Sequence, residues 1–506
     1  MPGIRKILIA NRGEITLRIM RSCREMDIRT VAVFSEVDHR SPHVLMADEA
    51  FCIGPAIAAE SYLNINKILE VAKTAGVDAI HPGYGFLAEN ANFAQQVADN
   101  GLIFIGPLPD TISLMGSKTE SRKAMMNAGV PVVPGAKGSI ETVDDAKKIV
   151  EQLGGYPILI KAAAGGGGKG MRTVFAEKDL ARAFEAAKGE ALKAFSDDTV
   201  YLEKFIENPK HIEIQVIADQ HGNVVHLWER DCSIQRRHQK VIEECPSAVL
   251  TPELREQMGS VAVQAAKASN YVNAGTVEFL YDNGKFYFLE MNTRLQVEHP
   301  VTEMVMGVDL VKAQIHVAEG KPLPFSQDNL KPRGHAFECR INAEDVFNSF
   351  VPDTGKITHL KHPEGPGVRV DSGVFADSEI SRYYDPMIAK LVTWAETRQE
   401  AIDRMKRALL EFQIQGVKTT IPFCLPVLEH PEFVNGSFTT KFVEKYWEEI
   451  KKSLHKDTEI AEIIAAAVAY SHENQTTISS GKSKENNFLP PLSPWKARSL
   501  KNNLTH

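Results

Sequence analysis

The sequence lacks the features of a disulfide-stabilised, zinc-finger or membrane protein. Its six cysteines are scattered with no C-x-x-C pair, which indicates free thiols rather than disulfides or a zinc site. The longest apolar run, residues 463–470, is far shorter than the roughly 20 residues that span a bilayer. The N-terminal MPGIRKILIANRGE turns polar too early for a signal peptide. We therefore predict a cytoplasmic protein with no membrane partner.

An excess of positive charge is lacking as well. The 58 lysines and arginines are outnumbered by 65 aspartates and glutamates, so the formal charge is -7 and no basic footprint for nucleic acid exists. Hydrophobic residues make up 43% and charged residues 24%, which is an ordinary globular composition. At about 150 residues per domain, a chain of 506 residues predicts roughly three domains.

The first region, predicted over residues 1–114, alternates short apolar segments with helical periodicity. Strands are predicted at 6–10, 31–35, 78–81 and 103–106, and helices near 13–26, 64–74 and 89–100. This alternation is typical of a parallel, doubly wound α/β sheet. The first turn, Asn11-Arg12-Gly13-Glu14, lacks the Gly-x-Gly-x-x-Gly spacing of a dinucleotide site. We predict a Rossmann-like domain that does not bind NAD.

The remaining regions are predicted to be α+β. Antiparallel strand signals dominate residues 115–333, at 156–163, 171–175, 200–205, 211–218 and 224–228. A mixed third region, 334–446, carries strands at 336–341 and 367–371 and a helix near 400–412. Residues 447–506 are predicted to hold one helix, at 459–470, and then a polar, mostly disordered tail.

A run of four glycines, residues 165–168, lies between two predicted strands. Bare glycine amides in such a mobile hairpin can fold over phosphate groups. A P-loop is excluded because Ala163 and Gly170 replace its glycine and its hydroxyl residue, and because a strand follows instead of a helix. For the glycines alone, a simple flexible hairpin remains open.

Two lysines strengthen the phosphate hypothesis. Lys161 ends an apolar strand, where a free ammonium is expensive to bury unless an anion neutralises it. Lys118 lies in the first turn of a predicted helix that Ser117 caps and Gly129 ends. A cation at that position opposes the helix dipole, and a bound phosphate would reverse the effect. Taken alone, a lysine such as Lys118 is more often a solvated surface residue than a phosphate ligand.

A predicted hairpin over residues 276–292 carries a candidate metal site. A three-residue loop with Gly284 in the left-handed conformation would make Glu278 and Glu290 direct cross-strand partners. Two facing carboxylates repel each other unless a cation lies between them, and Asn292 adds an oxygen on the same face. Oxygen ligands of this kind favour Mg2+ held with ATP phosphates. The alternative is that each glutamate pairs with a nearby basic residue.

Polar residues continue beyond this hairpin in alternate positions. If the chain stays extended, Arg294, Gln296 and Glu298 lie on the same face as the metal ligands. A guanidinium, an amide and a carboxylate would suit a small planar anion that gives up a proton. The charged segment 229–240 and Arg340 in a downstream strand add candidates, although isolated strings of this kind are usually solvated loops.

Several strings in one order resemble the biotin carboxylase family of the ATP-grasp superfamily, across residues 4–446. They are IANRGEI, HPGYGFLAEN, MGSK, KAAAGGGGKGM, EKFIENPKHIEIQV, ERDCSIQRRHQK, FLEMNTRLQVEHPVTEM and ECRINAED. The resemblance implies an ATP-grasp central domain with a mobile glycine-rich lid at about 132–205. It also implies ATP-dependent transfer of bicarbonate carbon to biotin. Phe205 and Ile206 depart from the familiar EKxxENP string.

The resemblance also implies site residues. ATP would be bound by Lys118, Lys161, Gly167, Gly168, Glu203, Lys204, Phe205, Ile206, His211, Gln235 and His238. Mg2+, or Mn2+ in its place, would be held by Glu278, Glu290 and Asn292. Bicarbonate would lie among Lys240, Arg294, Gln296 and Val297 with Glu298 as its base, and Arg340 would stabilise the biotin enolate.

The resemblance further implies partners. The sequence has no Met-Lys-Met biotin attachment site and no carboxyltransferase region, so a separate biotin carrier protein and a separate carboxyltransferase are expected. The family also implies a homodimer, with Arg18 and its helix involved. The final carboxyl acceptor and the role of the tail are left open. The alternatives are another ATP-grasp ligase of the carbamoyl-phosphate synthetase type, or an ATP-sensing protein that retains the fold.

Overall fold

The computed structural model describes residues 3–136, 138–162, 171–195 and 197–454. The predicted glycine-rich loop, with Gly167 and Gly168, and the predicted helix and tail after residue 454 lie outside these ranges. Among the described helices, none combines the length and apolar composition needed to cross a bilayer.

The N-terminal region contains the predicted parallel sheet. Five parallel strands follow the order β3-β2-β1-β4-β5, and helices pack against them. The strand β3 was not predicted, because it is a half-exposed strand at the edge of the sheet. The elements are β1 (Lys6–Ile9), α1 (Gly13–Glu25), β2 (Arg29–Ser35), α2 (Pro42–Met46), β3 (Glu49–Gly54), α3 (Ile65–Ala75), β4 (Ala79–His81), α4 (Ala91–Asp99) and β5 (Ile103–Phe104).

A small three-stranded antiparallel sheet, in the order β7-β6-β8, follows in the chain. The helix that begins at Lys118 is capped as predicted, since the Ser117 hydroxyl accepts a hydrogen bond from the amide of Glu120 at 3.3 Å. The elements are α5 (Pro109–Gly116), α6 (Lys118–Asn127), α7 (Val143–Gln152), β6 (Ile158–Ala162), β7 (Met171–Val174), α8 (Glu177–Phe195) and β8 (Val200–Lys204).

An eight-stranded antiparallel sheet forms the body of the molecule, in the order β13-β12-β9-β10-β11-β14-β21-β19. It is continuous across residues 333 and 334, because β11 pairs with β14 from Ile242–Cys339 to Cys245–Ala336. Its first elements are β9 (Lys210–Ala218), β10 (Val224–Arg236), β11 (Gln239–Cys245), α9 (Pro252–Ala268), β12 (Asn273–Asp282), β13 (Lys285–Asn292), α10 (His299–Met306) and α11 (Leu310–Ala318).

The C-terminal part completes this sheet and covers it with helices. The helix α12 starts with a capping box formed by Thr397 and Glu400. The elements are β14 (His335–Asn342), β15 (Glu344–Asp345), β16 (Val351–Pro352), β17 (Gly355–Lys356), β18 (His359–Lys361), β19 (Val368–Ser372), β20 (Glu379–Ile380), β21 (Met387–Ala395), α12 (Arg398–Glu411), β22 (Gln413–Gln415), α13 (Ile421–Glu429) and α14 (Pro431–Val434), and residues 442–454 are helical.

The charged segment 229–240 is not a solvated loop. Most of it lies in β10 and β11, joined by a tight turn at Arg237 and His238, whose φ angles are +50° and +67°. Arg230 and Glu229 are fully buried. Burial of so many charges requires partners, and these partners define the site described next.

Candidate active site

A cleft of about 1670 Å3 opens between the N-terminal sheet, the small sheet and the large sheet. All predicted site residues in the described part of the chain line it except Glu298, which lies fully buried at its wall. The lining residues are Lys118, Lys161, Glu203, Lys204, Phe205, Ile206, His211, Gln235, His238, Lys240, Glu278, Glu290, Asn292, Arg294, Gln296, Val297 and Arg340.

Glu278 and Glu290 are direct cross-strand partners, as predicted, but the predicted three-residue loop was wrong. The connection is a two-residue Asn283-Gly284 loop, with Asp282 paired to Lys285 and φ angles of +48° and +79°. A register shift between the Glu278 and Phe279 pairs leaves Leu289 as an extra residue in β13. This β-bulge, rather than a longer loop, turns both carboxylates to one face.

The two carboxylates have different surroundings. The Oε1 atom of Glu278 lies 2.9 Å from Lys240 Nζ, and its Oε2 lies 3.1 Å from His211 Nε2. Burial opposes ionisation of Glu278, but these cations outweigh it and hold its pKa well below the ordinary range. Among the described residues, Glu290 has no ion-pair partner. Its side chain is exposed to the cleft, where desolvation by the surrounding walls and the nearby Glu278 carboxylate raise its pKa. A bound cation would remove this repulsion, so the pair fits a metal.

His211 responds to the same carboxylate in the opposite direction. Burial disfavours its charged form, but the Glu278 carboxylate outweighs burial and raises the pKa of His211 to about 9. At neutral pH the imidazole is therefore protonated, and it adds a second positive charge beside Lys240 at this end of the cleft.

Lys240 connects three buried carboxylates. Its ammonium lies 2.5 Å from Glu213, 2.9 Å from Glu278 and 2.7 Å from Glu298. Glu213 also accepts a hydrogen bond from Arg230 Nε at 2.5 Å. The sequence reasoning missed Glu213, although a charged residue in the apolar string HIEIQV is the same kind of signal that identified Lys161.

Glu298 lies between two cations. Besides Lys240, its Oε2 accepts a hydrogen bond from Arg340 Nη2 at 2.9 Å, while Arg340 Nε donates to Glu243 at 2.6 Å. Burial raises the pKa of Glu298, but Lys240 and Arg340 outweigh it and the net pKa is lowered. Glu298 is therefore ionised at neutral pH, as a general base must be.

The segment after β13 does not stay extended. The prediction that its alternate side chains lie on one face of an extended strand was therefore wrong. The strand ends at Asn292, the chain bends, and Leu295 is buried. The side chains nevertheless meet, because Arg294 donates to Gln296 Oε1 at 2.9 Å and to Asn292 Oδ1 at 3.1 Å. Arg294 also donates to Glu89 at 2.9 Å, a partner that the sequence reasoning missed.

At the other end of the cleft, Lys161 has an anionic partner as predicted, but it is a carboxylate. Lys161 Nζ lies 2.5 Å from Glu203, which also pairs with Arg122 at 3.1 Å. Lys204 does not point to this pair, since its ammonium donates to the carbonyl of Gly155 at 3.0 Å. Lys118 lies on the cleft wall, and its charge partly opposes the rise in the pKa of Glu290.

Family models account for most of the chain. A biotin carboxylase N-terminal domain matches residues 3–112, and a biotin carboxylase C-terminal domain matches residues 338–445. Between them, residues 117–326 match the ATP-binding domain of the carbamoyl-phosphate synthase L chain.

Two curated relatives match this chain over nearly their whole length. Biotin carboxylase 1 of Bacillus subtilis is 56% identical over 445 residues, which are 88% of this chain and 99% of that protein. This chain belongs to the biotin carboxylase family. A pyruvate carboxylase subunit of Methanothermobacter thermautotrophicus is 55% identical over 461 residues, or 90% of this chain and 94% of that protein.

A solved structure has the same fold. The biotin carboxylase domain dimer of Hydrogenobacter thermophilus 2-oxoglutarate carboxylase, in complex with MgADP, ADP and bicarbonate, has a TM-score of 0.82 at 49% identity. The match covers 89% of this chain and 99% of that chain.

The predicted fold class and activity are confirmed by this membership. The chain has a Rossmann-like N-terminal part, an ATP-grasp centre and a mixed C-terminal part. It is an ATP-dependent ligase that carboxylates biotin. A carbamoyl-phosphate synthetase is not favoured, because the ATP-binding match is flanked on both sides by matches to the N-terminal and C-terminal domains of biotin carboxylase.

Proposed function

We propose that the cleft carries out bicarbonate activation and biotin carboxylation in two steps, with Glu298 as the base. The observation that carries this proposal is the position of Glu298, a buried and ionised carboxylate held between Lys240 and Arg340. Bicarbonate would lie beside it, bound by Arg294, Gln296, Lys240 and Val297. The Hydrogenobacter thermophilus relative that was crystallised with MgADP and bicarbonate supports this choice of ligands.

In the first step, Glu298 takes the bicarbonate proton and a bicarbonate oxygen attacks the γ-phosphorus of ATP, giving carboxyphosphate and ADP. Such transfers depend mainly on alignment and charge neutralisation, which Lys118, Lys161, His211 and Lys240 would provide. Glu278, Glu290 and Asn292 would hold Mg2+, or Mn2+, which neutralises phosphate charge when bound. Adenosine would meet Glu203, Lys204, Phe205, Ile206, Gln235 and His238, with Gly167 and Gly168 over the phosphates.

In the second step, carboxyphosphate breaks down to CO2 and phosphate, and the phosphate accepts the ureido proton of biotin. Arg340 then stabilises the enolate-like oxygen of biotin while its nitrogen attacks CO2. Arg340 suits this role because its guanidinium lines the cleft and its orientation is fixed by Glu243 and Glu298.

The domain boundaries are part of the proposal: 1–114, an ATP-grasp domain at 115–333 with its lid at about 132–205, 334–446, and 447–506. The biotin would be carried by a separate carrier protein, and a separate carboxyltransferase would use the product. Relatives named for pyruvate and for 2-oxoglutarate are 55% and 49% identical to this chain, and the separate carboxyltransferase would select the acceptor.

The test of the function uses the full chain with ATP, bicarbonate and Mg2+, with and without free biotin. We expect ADP release that requires bicarbonate, formation of carboxybiotin, and no stimulation by ammonia. Ammonia-stimulated ATP cleavage without any effect of biotin would instead assign the chain to the carbamoyl-phosphate synthetase type.

The metal assignment predicts the effect of Glu290→Gln. Because Glu290 is the carboxylate without an ion-pair partner among the described residues, its loss should leave folding intact and raise the Mg2+ concentration that gives half-maximal ATP cleavage. A titration of activity with Mg2+ at fixed ATP measures this shift. Glu207→Gln, an exposed carboxylate whose charge reaches Asp282 rather than the pair, is the control. An unchanged titration curve would exclude Glu290 as a ligand.

We further propose a homodimer, supported by the dimeric biotin carboxylase domain of Hydrogenobacter thermophilus. Arg18 does not itself reach the surface, because it is buried and pairs with Glu303 and Asp309 at 2.7 and 2.9 Å. Its helix α1 also carries Arg21, which is exposed. Light scattering at micromolar protein should give twice the mass of one chain, and a strict monomer would contradict the assignment.

A further inference from the structure

Behind Arg340, two buried glutamates face each other across neighbouring strands. Glu243 of β11 and Glu338 of β14 are direct cross-strand partners, and both side chains are completely buried. Within the described residues, both carboxylate oxygens of Glu338 and Oε2 of Glu243 have no hydrogen-bond partner. Like charges directly opposite each other in a sheet are unfavourable, and buried carboxylates without partners are costly.

The cations nearby do not neutralise both groups. Arg340 pairs with Glu243 at 2.6 Å, but it is shared with Glu298 at 2.9 Å. Lys390 is engaged by Glu14 at 3.3 Å and by the Val297 carbonyl at 2.8 Å. The charged groups that act on the pair are Lys240, Glu298, Arg340 and Lys390. The buried thiols of Cys232 and Cys339 also lie close enough to sense these carboxylates.

We propose that Glu243 and Glu338 share one proton and act together as positioning residues, with Glu243 holding the guanidinium of Arg340 in line for biotin. The inference rests on the proposed function, because it assigns a support to Arg340 in the second step. With one proton in the pair, a hydrogen bond can join the two carboxyl groups, and Glu243 keeps a single negative charge for Arg340. The arrangement resembles other pairs of adjacent carboxyls that cannot both ionise.

The electrostatics agree with this geometry. Burial raises the pKa of Glu338 well above its ordinary range, and burial together with Glu298 raises the pKa of Glu243 to about 7 against the opposing effect of Arg340. Loss of the shared proton at alkaline pH would place a second negative charge behind Arg340. That charge would compete with the biotin oxygen for the guanidinium, so biotin carboxylation should fall relative to ATP cleavage.

The raised pKa values of Glu243 and Glu338 also make the free energy of unfolding depend on pH. Between the ordinary carboxyl pKa of 4.5 and the raised values, the folded protein keeps a proton that the unfolded chain has released. The free energy of unfolding therefore decreases as pH rises through this window. Replacing Glu338 by glutamine, which has the shape of the neutral acid, should remove part of this decrease.

The first test is the ratio of carboxybiotin to ADP formed by Glu338→Gln between pH 6 and pH 9, with free biotin. At neutral pH the variant and the wild-type protein should give the same ratio of carboxybiotin to ADP. At alkaline pH the ratio should fall for the wild-type protein and stay constant for the variant. Thermal unfolding across the same range should show a smaller loss of stability for the variant. A variant with the wild-type pH profile, or one that fails to fold, would overturn the proposal, since either result means that Glu338 is not a neutral acid.

The second test compares Glu243→Gln with Glu244→Gln. Glu243→Gln removes the charge that holds Arg340, so carboxybiotin formation should fall about 10- to 100-fold more than ADP release, the usual cost of a misplaced reacting group. Glu244 is equally buried in the same strand, but it pairs with His335 and Arg398 at 2.9 and 2.7 Å. Its loss should leave the ratio unchanged in the folded fraction. Equal ratios in both variants would contradict the role of Glu243, whereas a wild-type protein that cannot carboxylate biotin would reject the proposed function itself.

Discussion

Glu298→Gln is expected to abolish both bicarbonate-dependent ATP cleavage and biotin carboxylation, by about 100-fold or more each, the usual size of general-base catalysis. The amide keeps the shape of the side chain but cannot accept the bicarbonate proton. Lys240 keeps its other two carboxylates, Glu213 and Glu278, so the positive charge beside the site remains neutralised. The loss therefore reports the missing base rather than an unpaired lysine.

The measurement is ADP release and carboxybiotin formation in parallel, together with ATP binding. ATP binding should stay near the wild-type affinity, because Glu298 is not placed at the nucleotide. Glu229→Gln provides a matched control, since Glu229 is also fully buried and pairs with Arg255 at 2.8 Å, away from the lining of the cleft. If Glu298→Gln cleaved ATP at the wild-type rate, the base would have to be another group.

Arg340→Gln is expected to reduce biotin carboxylation far more than ATP cleavage. Charge on the biotin oxygen develops only after carboxyphosphate has formed, so an interaction with that oxygen contributes to the second step alone. The variant also leaves Glu243 and Glu298 without their shared guanidinium. Breaking a buried ion pair from one side costs about 3–5 kcal/mol, so a lower unfolding temperature should accompany the change in activity.

Two further variants separate catalysis from stability. Arg340→Lys keeps the positive charge but loses the planar fork that contacts Glu243 and Glu298 together, so it should fold better than Arg340→Gln while still carboxylating biotin poorly. Arg398→Gln breaks the comparable pair with Glu244 and should lower stability without changing the ratio of the two activities. Equal loss of both activities in folded Arg340→Lys would show that Arg340 acts before carboxyphosphate forms.

The sequence pattern predicted the features that depend on neighbouring residues, such as strands, helices and helix caps. Alternation of strands and helices predicted the parallel N-terminal sheet, and the cap at Ser117 predicted the helix that begins at Lys118. The contacts of Lys240 could not be predicted in the same way. These contacts join Lys240 to Glu213, Glu278 and Glu298, which lie 27, 38 and 58 positions away in the sequence. They therefore depend on the order of the strands in the large sheet.

The hairpin shows the limit most clearly. The chemistry of two facing carboxylates predicted their cross-strand pairing correctly, whereas the loop predicted from that pairing was wrong. Asn283-Gly284 is a strong two-residue turn, and the compensating bulge at Leu289 has no local signal in the sequence. The need to bring the two carboxylates together therefore predicted the pairing of the strands. The β-bulge that permits this pairing is visible only in the structure.

The continuous pairing of β11 with β14 has a consequence for attempts to divide the chain. A fragment that stops before residue 335 would lose three strands of the large sheet and expose the edge of β11, with its unpaired amides and carbonyls. It would also lose Arg340, although all the proposed metal ligands would remain. A split enzyme should therefore require both fragments to be refolded together, so that β14 can pair with β11 again. The first fragment alone should aggregate through the exposed edge of β11.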